Sequence, residues 1–212
     1  MHIPSSFKED NPTKLLEIMQ ENAFATIITT DPDGLPVATS LPFLIKQKND
    51  QFTLQAHFAK ANPQWEHLEK NKQVLVTFNG PHCYISPTWY RAQGVPTWNY
   101  VAVHAYGSAT LFDNKRTAAL IETLSDKYEA TMETPWKAQS AGVKNYAENL
   151  LDHIIGFEIT VHKLQGKVKI SQNKTIDDLK SVVKALQQSS SEQEQKIAQL
   201  IQTQLKKATN NE

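Results

Sequence analysis

The feature that most restricts the fold is a series of short segments rich in β-branched and aromatic residues, each closed by a turn signal. The first, residues 23–30, ends at Asp31-Pro32-Asp33-Gly34, and residues 35–45 read as its returning strand. Pro36 and Pro42 place that second segment at a sheet edge or at a bulge, because proline donates no backbone hydrogen bond. The pattern predicts antiparallel hairpins.

The rest of the chain continues this pattern and adds helices. Asn-Pro pairs at 11–12 and 62–63 and Asp113 mark three helix starts, the third helix running to about Ala130. Thr175 with Asp178 and Ser191 with Glu194 match the N-cap and N3 positions of two helices in the tail. Further strands are predicted at 51–58, 73–80, 83–86, 98–112 and, as one or two strands, 153–171.

These elements predict a mainly β (α+β) protein. An antiparallel β domain with peripheral helices covers residues 1–174, and a helical C-terminal arm covers residues 175–212. The chain has 212 residues, of which 40% are hydrophobic, enough for a sizeable core.

Charge and cysteine content restrict partners and compartment. Lys+Arg and Asp+Glu both total 22, and a net charge of zero disfavours tight nonspecific binding to nucleic acid. The single cysteine, Cys83, cannot form an intramolecular disulfide, which favours a reducing compartment. The first ten residues lack the layout of a signal peptide, and no run reaches the length of a membrane span. We therefore expect a soluble cytoplasmic protein without a membrane partner.

One segment, residues 57–65, suits a phosphate. It joins a strand end to a helix start, where free N–H groups favour an anion, and Lys60 adds a cation. His57 and Asn62 add hydrogen-bond donors. The alternative is that Asn62 only caps the helix, Lys60 is solvated and Trp65 is buried.

Two other segments carry polar and aromatic groups. Residues 82–100 contain Trp89, Tyr90, Trp98 and Tyr100, which suit a planar ligand, a protein interface or core packing, and Asn99 could bond a ligand edge. Residues 167–174 are rich in lysine and amide side chains. The seven histidines show no H-x-x-x-H spacing beside a carboxylate, so no metal site is predicted, and no catalytic residue is identified.

Together these segments resemble the PaiB-type family of FMN-binding negative transcriptional regulators. The motifs similar to family stretches are His57 to Trp65, Gly80 to Tyr90, Val95 to Tyr100 and Lys169 to Asn173, and the opening H-I-P-S-S-F is also similar. The match runs from Met1 to about the end of the chain. Several motifs in the right order make the resemblance far more specific than any one of them.

The resemblance implies a split β-barrel with FMN bound at a homodimer interface. Where members often read T-H-L-P-F, this chain reads Thr39 to Phe43, so the hydroxyl of Ser40 replaces a histidine. The implied cofactor-binding residues are Thr39, Ser40, His57, Lys60, Asn62, Trp89, Tyr90, Trp98, Asn99, Lys169 and Gln172.

Three functions remain open at this stage. The first is a regulatory FMN-binding protein. The second is an FMN-dependent oxidoreductase of the pyridoxine-phosphate-oxidase or flavin-reductase class, since the flavin itself supplies redox chemistry. The third is a haem-binding split barrel, ranked last because the final histidine, His162, precedes the tail. Direct DNA binding is doubtful, because no basic recognition helix is visible and the tail helices carry charges of both signs.

Overall fold

A single eight-stranded sheet dominates the computed structural model, which describes residues 1–136 and 150–209. The strand order is β3-β2-β6-β7-β8-β5-β4, and β1 pairs with β8. Every pair with a defined register is antiparallel. The order ends at β3 and β4, so the sheet is not closed within the described residues. The strands are Lys8–Glu9 (β1), Phe24–Thr30 (β2), Pro36–Pro42 (β3), Leu44–Lys48 (β4), Gln51–Ala59 (β5), Gln73–Ile85 (β6), Thr97–Leu111 (β7) and Ile154–Lys169 (β8).

Five helices accompany the sheet in the described residues, and the predicted caps Asn11, Asp113 and Thr175 bond backbone N–H groups at three of their starts. Asp113 accepts from the backbone N–H of Arg116 at 2.7 Å, and Thr175 accepts from that of Asp178 at 3.2 Å. The helices are Pro12–Glu21 (α1), Gln64–Lys70 (α2), Asn114–Glu129 (α3), Ile176–Gln187 (α4) and Glu192–Thr209 (α5). The predicted antiparallel architecture, with peripheral and C-terminal helices, is confirmed.

Two predicted strand boundaries were wrong. Residues 35–45 form two strands, because the chain changes partner at Phe43: β3 pairs with β2, whereas β4 pairs with β5. Phe43 itself is fully buried, and Pro42, which lacks an N–H, ends β3. Conversely, the two strands predicted at 73–80 and 83–86 form one long strand, Gln73–Ile85 (β6), which continues through Gly80-Pro81.

The described chain divides into two compact units. The first unit comprises Met1–Glu21, Asn79–Val103 and Gln165–Glu212, and the second comprises Asn22–Phe78 and His104–Leu164. The strands β6, β7 and β8 each contribute residues to both units. The domain boundary expected between residues 174 and 175 stays a prediction.

Each unit has its own apolar core. In the first unit, α4 and α5 pack on residues of β6 and β8; the cluster contains Cys83, Ile85, Tyr90, Ile170, Leu179, Val182, Val183, Leu186, Ile197, Ala198 and Ile201. In the second unit, four phenylalanines form the centre, with ring-centroid distances of 4.9 to 6.2 Å; they are Phe43, Phe58, Phe78 and Phe157. These cores hold the strand ends that carry the candidate site residues.

Candidate functional site

The eleven residues predicted to bind the cofactor fall into two sets, one in each unit. The second unit contains Thr39, Ser40, His57, Lys60 and Asn62; the first contains Trp89, Tyr90, Trp98, Asn99, Lys169 and Gln172. Within each set some side chains keep free polar groups, whereas others are already satisfied by the fold. That distinction separates candidate ligand groups from structural ones.

In the second unit, Asn62 and Thr39 belong to a hydrogen-bonded corner that joins β3 to the start of α2. The Asn62 amide nitrogen donates to Thr39 Oγ1 at 3.2 Å, and its oxygen accepts from the backbone N–H of Gln64 at 3.0 Å. The Thr39 hydroxyl donates to Oε1 of Gln64 at 2.5 Å. We call these three residues the phosphate corner, after the ligand group proposed for it below.

Lys60 is the cation of this region. It lies exposed between β5 and α2, and among the described residues its ammonium makes no ion pair. Its backbone is fixed on both sides: its N–H donates to the His153 carbonyl at 2.8 Å, and its carbonyl accepts from the Trp65 indole at 3.1 Å. A held backbone with a free ammonium suits an anionic ligand.

His57 lies three residues before Lys60, on β5. Its Nδ1 is buried and has no hydrogen-bond partner among the described residues. Burial lowers the pKa of the His57 imidazole, because a buried site disfavours the charged ring. Ser40, by contrast, is exposed on β3 and shares a hydrogen bond with Thr26 at 3.1 Å.

In the first unit, the amides of Asn99 and Gln172 each donate one hydrogen bond and accept one within the fold. The fully buried Asn99 amide exchanges hydrogen bonds with Ser171 Oγ at 2.9 and 3.2 Å. Gln172 spans the end of β8, because its amide accepts from the Ile170 N–H at 2.8 Å and donates to the Val168 carbonyl at 2.6 Å. Both side chains therefore secure the turn after β8, where Ser171 has a positive φ of 63°.

The lysines of β8 lie against aromatic rings. Lys169 donates to Thr97 Oγ1 at 2.5 Å, with its ammonium 5.9 Å from the centre of the Phe7 ring. Lys167, which is only 9% exposed, donates to the His2 carbonyl at 3.1 Å and lies 5.0 Å from the Tyr100 ring centre. Each lysine uses one of its donors, and Lys169 is the more exposed of the two.

The predicted aromatic residues divide between core and surface. Tyr90 is 8% exposed and lies in the core of the first unit, and burial raises the pKa of its hydroxyl, an effect that Ser171 partly offsets. Trp89 is half-buried against the same core. Trp98 is 53% exposed, with its ring 6.2 Å from that of Tyr84 and 6.4 Å from that of His82. We call Trp98, Tyr84 and His82 the aromatic surface.

Sequence reasoning missed Gln64 and Tyr84. Gln64 stands at a variable position of the H-x-A-x-x-N-P-x-W stretch, and no pattern marks a glutamine there as buried. Tyr84, 42% exposed, could have been found from strand alternation, because its neighbours Cys83 and Ile85 are both buried. The Cys83 thiol is no candidate nucleophile, since burial, with a smaller contribution from Glu194, raises its pKa to about 12.

The free groups of the two units differ in chemistry. A free ammonium at Lys60 and the second amide hydrogen of Asn62 suit phosphate oxygens, whereas the unpartnered Nδ1 of His57 is buried. The exposed rings of the aromatic surface suit stacking. In the described ranges, no group of three or more His, Cys, Asp or Glu residues could hold a metal ion. None of the described helices is long and apolar enough to cross a membrane.

Comparison with known proteins identifies the family. Residues 1–163 match the FMN_bind_2 family, described as "Putative FMN-binding domain". The chain is 39% identical over 209 residues to "Protease synthase and sporulation protein PAI 2" of Bacillus subtilis, covering 98% of this chain and 99% of that protein. It is also 33% identical over 206 residues to uncharacterized protein AN0679 of Emericella nidulans, covering 82% and 81%.

The fold is shared with more distant proteins. The FAD and heme binding protein from Mycobacterium smegmatis superposes with a TM-score of 0.59 at 13% identity, covering 82% of this chain and 79% of that one. The predicted split-barrel fold class and the predicted cofactor, FMN, are both confirmed. This chain belongs to the PaiB-type family of FMN-binding proteins.

Proposed function

We propose that this protein is a homodimeric FMN-binding regulator in which the phosphate corner and Lys60 hold the FMN phosphate. The observation that carries the phosphate assignment is the free ammonium of Lys60, whose backbone is fixed by hydrogen bonds to His153 and Trp65. Lys60 lies two residues before Asn62, whose amide keeps one unused N–H. A phosphate monoester carries up to two negative charges and several acceptor oxygens, which match these donors. FMN supplies redox chemistry when bound, and the protein supplies position and charge.

The helix start adds little to this site. The helix α2 has only seven residues, and its first N–H is already taken by Asn62. Its dipole is therefore small, and the ammonium supplies most of the attraction for phosphate. The Lys60→Ala variant tests whether the ammonium supplies this attraction.

The aromatic surface supports the homodimer. Trp98, Tyr84 and His82 together present aromatic rings to solvent in the first unit. Large exposed aromatic groups are typical of interfaces, where tryptophan and tyrosine are enriched. We propose that the aromatic surface of one copy contacts either the aromatic surface of a second copy or the flavin ring bound between the two copies.

The regulatory role rests on the relative. The Bacillus subtilis protein is named for protease synthesis and sporulation, and its similarity covers 98% of this chain. We expect regulation without tight binding of duplex DNA, because the chain has no net charge and offers few phosphate contacts. Submicromolar DNA binding near physiological salt, with poor competition by random DNA, would contradict this.

Sedimentation of the purified protein and its visible spectrum test the proposal together. We expect flavin absorption bands and a dimer at micromolar concentration. Trp98→Ser should weaken the dimer, whereas the matched change Trp136→Ser, at another exposed tryptophan (45% exposed), should not. A stable flavin-bound monomer would contradict the dimer; steady turnover of a reduced nicotinamide would favour the oxidoreductase alternative.

A further inference from the structure

Gln64, which no motif singled out, has a side chain that hydrogen-bonds to several groups of the second unit. Its side chain is completely buried although it is polar. Its amide nitrogen donates to Thr29 Oγ1 at 3.1 Å and to the Val37 carbonyl at 3.0 Å, with the Ile27 carbonyl at 3.5 Å. Buried amides are costly unless satisfied, and this one is satisfied only by β2 and β3.

The partners of Gln64 determine which way its amide faces. The Val37 carbonyl can only accept, so the nitrogen of Gln64 must point towards β2 and β3. Its oxygen therefore faces Thr39, whose single hydroxyl hydrogen it accepts. Because that hydrogen is used, Thr39 can accept from a ligand but cannot donate to one.

The same argument determines the orientation of Asn62. The backbone N–H of Gln64 can only donate, so it holds the oxygen of Asn62. The nitrogen of Asn62 then faces Thr39, which receives one of its two hydrogens at 3.2 Å. The second hydrogen of Asn62 is left for a ligand.

We propose that Gln64 is the positioning residue of the FMN phosphate site, an inference that rests on the proposed function. The side chain of Gln64 anchors the start of α2 to β2 and β3 and orients the hydroxyl of Thr39. The backbone N–H of Gln64, positioned by that anchor, holds the oxygen of Asn62, so that Asn62 presents a donor to the phosphate. Gln64 touches no ligand itself. Its buried amide fixes the position of the phosphate corner relative to β2 and β3.

The experiment compares FMN with riboflavin, which lacks the phosphate. Flavin-free full-length protein is titrated with each flavin, following the quenching of flavin fluorescence. In Gln64→Met, which keeps the length of the side chain but removes both ends of its amide, we expect the Kd for FMN to rise about tenfold, equivalent to one lost hydrogen bond to a charged group. The Kd for riboflavin should change less than about twofold, since the ring contacts are unaffected.

Two further variants make the result decisive. Gln73→Met is the matched control: Gln73 is an exposed glutamine of the same unit that donates to Ser108 at 2.9 Å, and its substitution should leave both Kd values unchanged. Thr39→Val removes the hydroxyl that donates to the Gln64 side chain and accepts from Asn62, while the Gln64 amide nitrogen keeps its bonds to β2 and β3 and the Gln64 backbone N–H keeps its bond to Asn62. It should reproduce the selective loss of FMN, and it decides the matter if Gln64→Met does not fold.

The outcomes separate this inference from the proposed function. Equal affinity of the unaltered protein for FMN and riboflavin would overturn the phosphate site itself, and the inference with it. A preference for FMN that both variants retain would overturn only the role of Gln64. An equal rise in both Kd values, in variants with native circular dichroism, would also overturn it, because Gln64 would then support the fold without positioning the phosphate donors.

Discussion

The same dipeptide, Asn-Pro, begins α1 and precedes α2, and the two copies are used differently. Asn11 caps an exposed helix: its side-chain oxygen accepts from the backbone N–H groups of Thr13 and Lys14 at 3.0 and 3.2 Å. Asn62 accepts from Gln64 and donates to Thr39, inside a buried network. The difference begins with the residue after proline, which is the exposed Thr13 in one case and the fully buried Gln64 in the other.

The nearby lysines differ in the same way. Lys14 forms an ion pair with Glu9 at 3.0 Å, on the exposed start of α1. Lys60, before α2, makes no ion pair among the described residues. One capping signal thus serves only local helix stability, whereas the other lies beside an unneutralised cation. The comparison indicates that tertiary partners, and not the capping signal, distinguish the candidate site.

The largest expected effect separates these two lysines. Lys60→Ala should weaken FMN binding about tenfold or more, because a charge-assisted contact to phosphate contributes roughly 1.5–3 kcal/mol. Lys14→Ala should leave FMN affinity unchanged. Fluorescence titration of the two variants measures both. Equal affinities in the Lys60 and Lys14 variants, with intact folds, would remove Lys60 from the site.

A smaller effect should separate the two asparagines. Asn62→Asp removes the donor to Thr39 and should lower the free energy of unfolding by about 1 kcal/mol. Asn11→Asp should change it by less than about 0.5 kcal/mol, because aspartate and asparagine cap helices about equally well. Urea unfolding of the flavin-free variants measures the difference. If both substitutions cost the same, the α2 corner is no more than an ordinary cap.

The smallest expected effect concerns pH and His57. Burial lowers the pKa of His57 in the folded protein, so the unfolded chain takes up a proton more readily. The resulting stability is present above the ordinary histidine pKa of about 6.5 and is lost as pH falls towards the folded value. When the pH is lowered from about 7 to about 5, the Tm of the His57→Gln variant should therefore fall less than the Tm of the unaltered protein.

Two controls apply to this pH measurement. Burial also lowers the pKa of His104, so part of the acid sensitivity should remain in the His57 variant. The segment from Glu9 to Glu21 contains no histidine, so Asn11→Ala should lower Tm equally at both pH values. A His57 variant with the full acid sensitivity of the unaltered protein would show that His57 titrates normally.

Much of the architecture could be predicted because local signals agreed with it. Turn and capping residues located β2, the turn at Gly34 with its φ of 84°, and the starts of α3 and α4. At Gly107, inside β7, a Cβ would collide with the Thr160 carbonyl of β8, so the two backbones approach closely there. The strand break at Phe43 and the continuous strand through Gly80-Pro81 were mispredicted, because strand partners lie far away in sequence.

The sequence alone determined the fold class, the family and the cofactor, since capping, turn and motif residues act locally or in fixed order. Tertiary structure decided which polar side chains remain free. Asn62, Asn99 and Gln172 look alike as polar motif residues, and each donates one hydrogen bond and accepts one, yet Asn99 is fully buried whereas Asn62 and Gln172 are only half-buried. The physical reason is that a hydrogen-bond partner is defined by distance and direction in space, which residues such as Gln64 and Thr39, 25 positions apart, acquire only on folding.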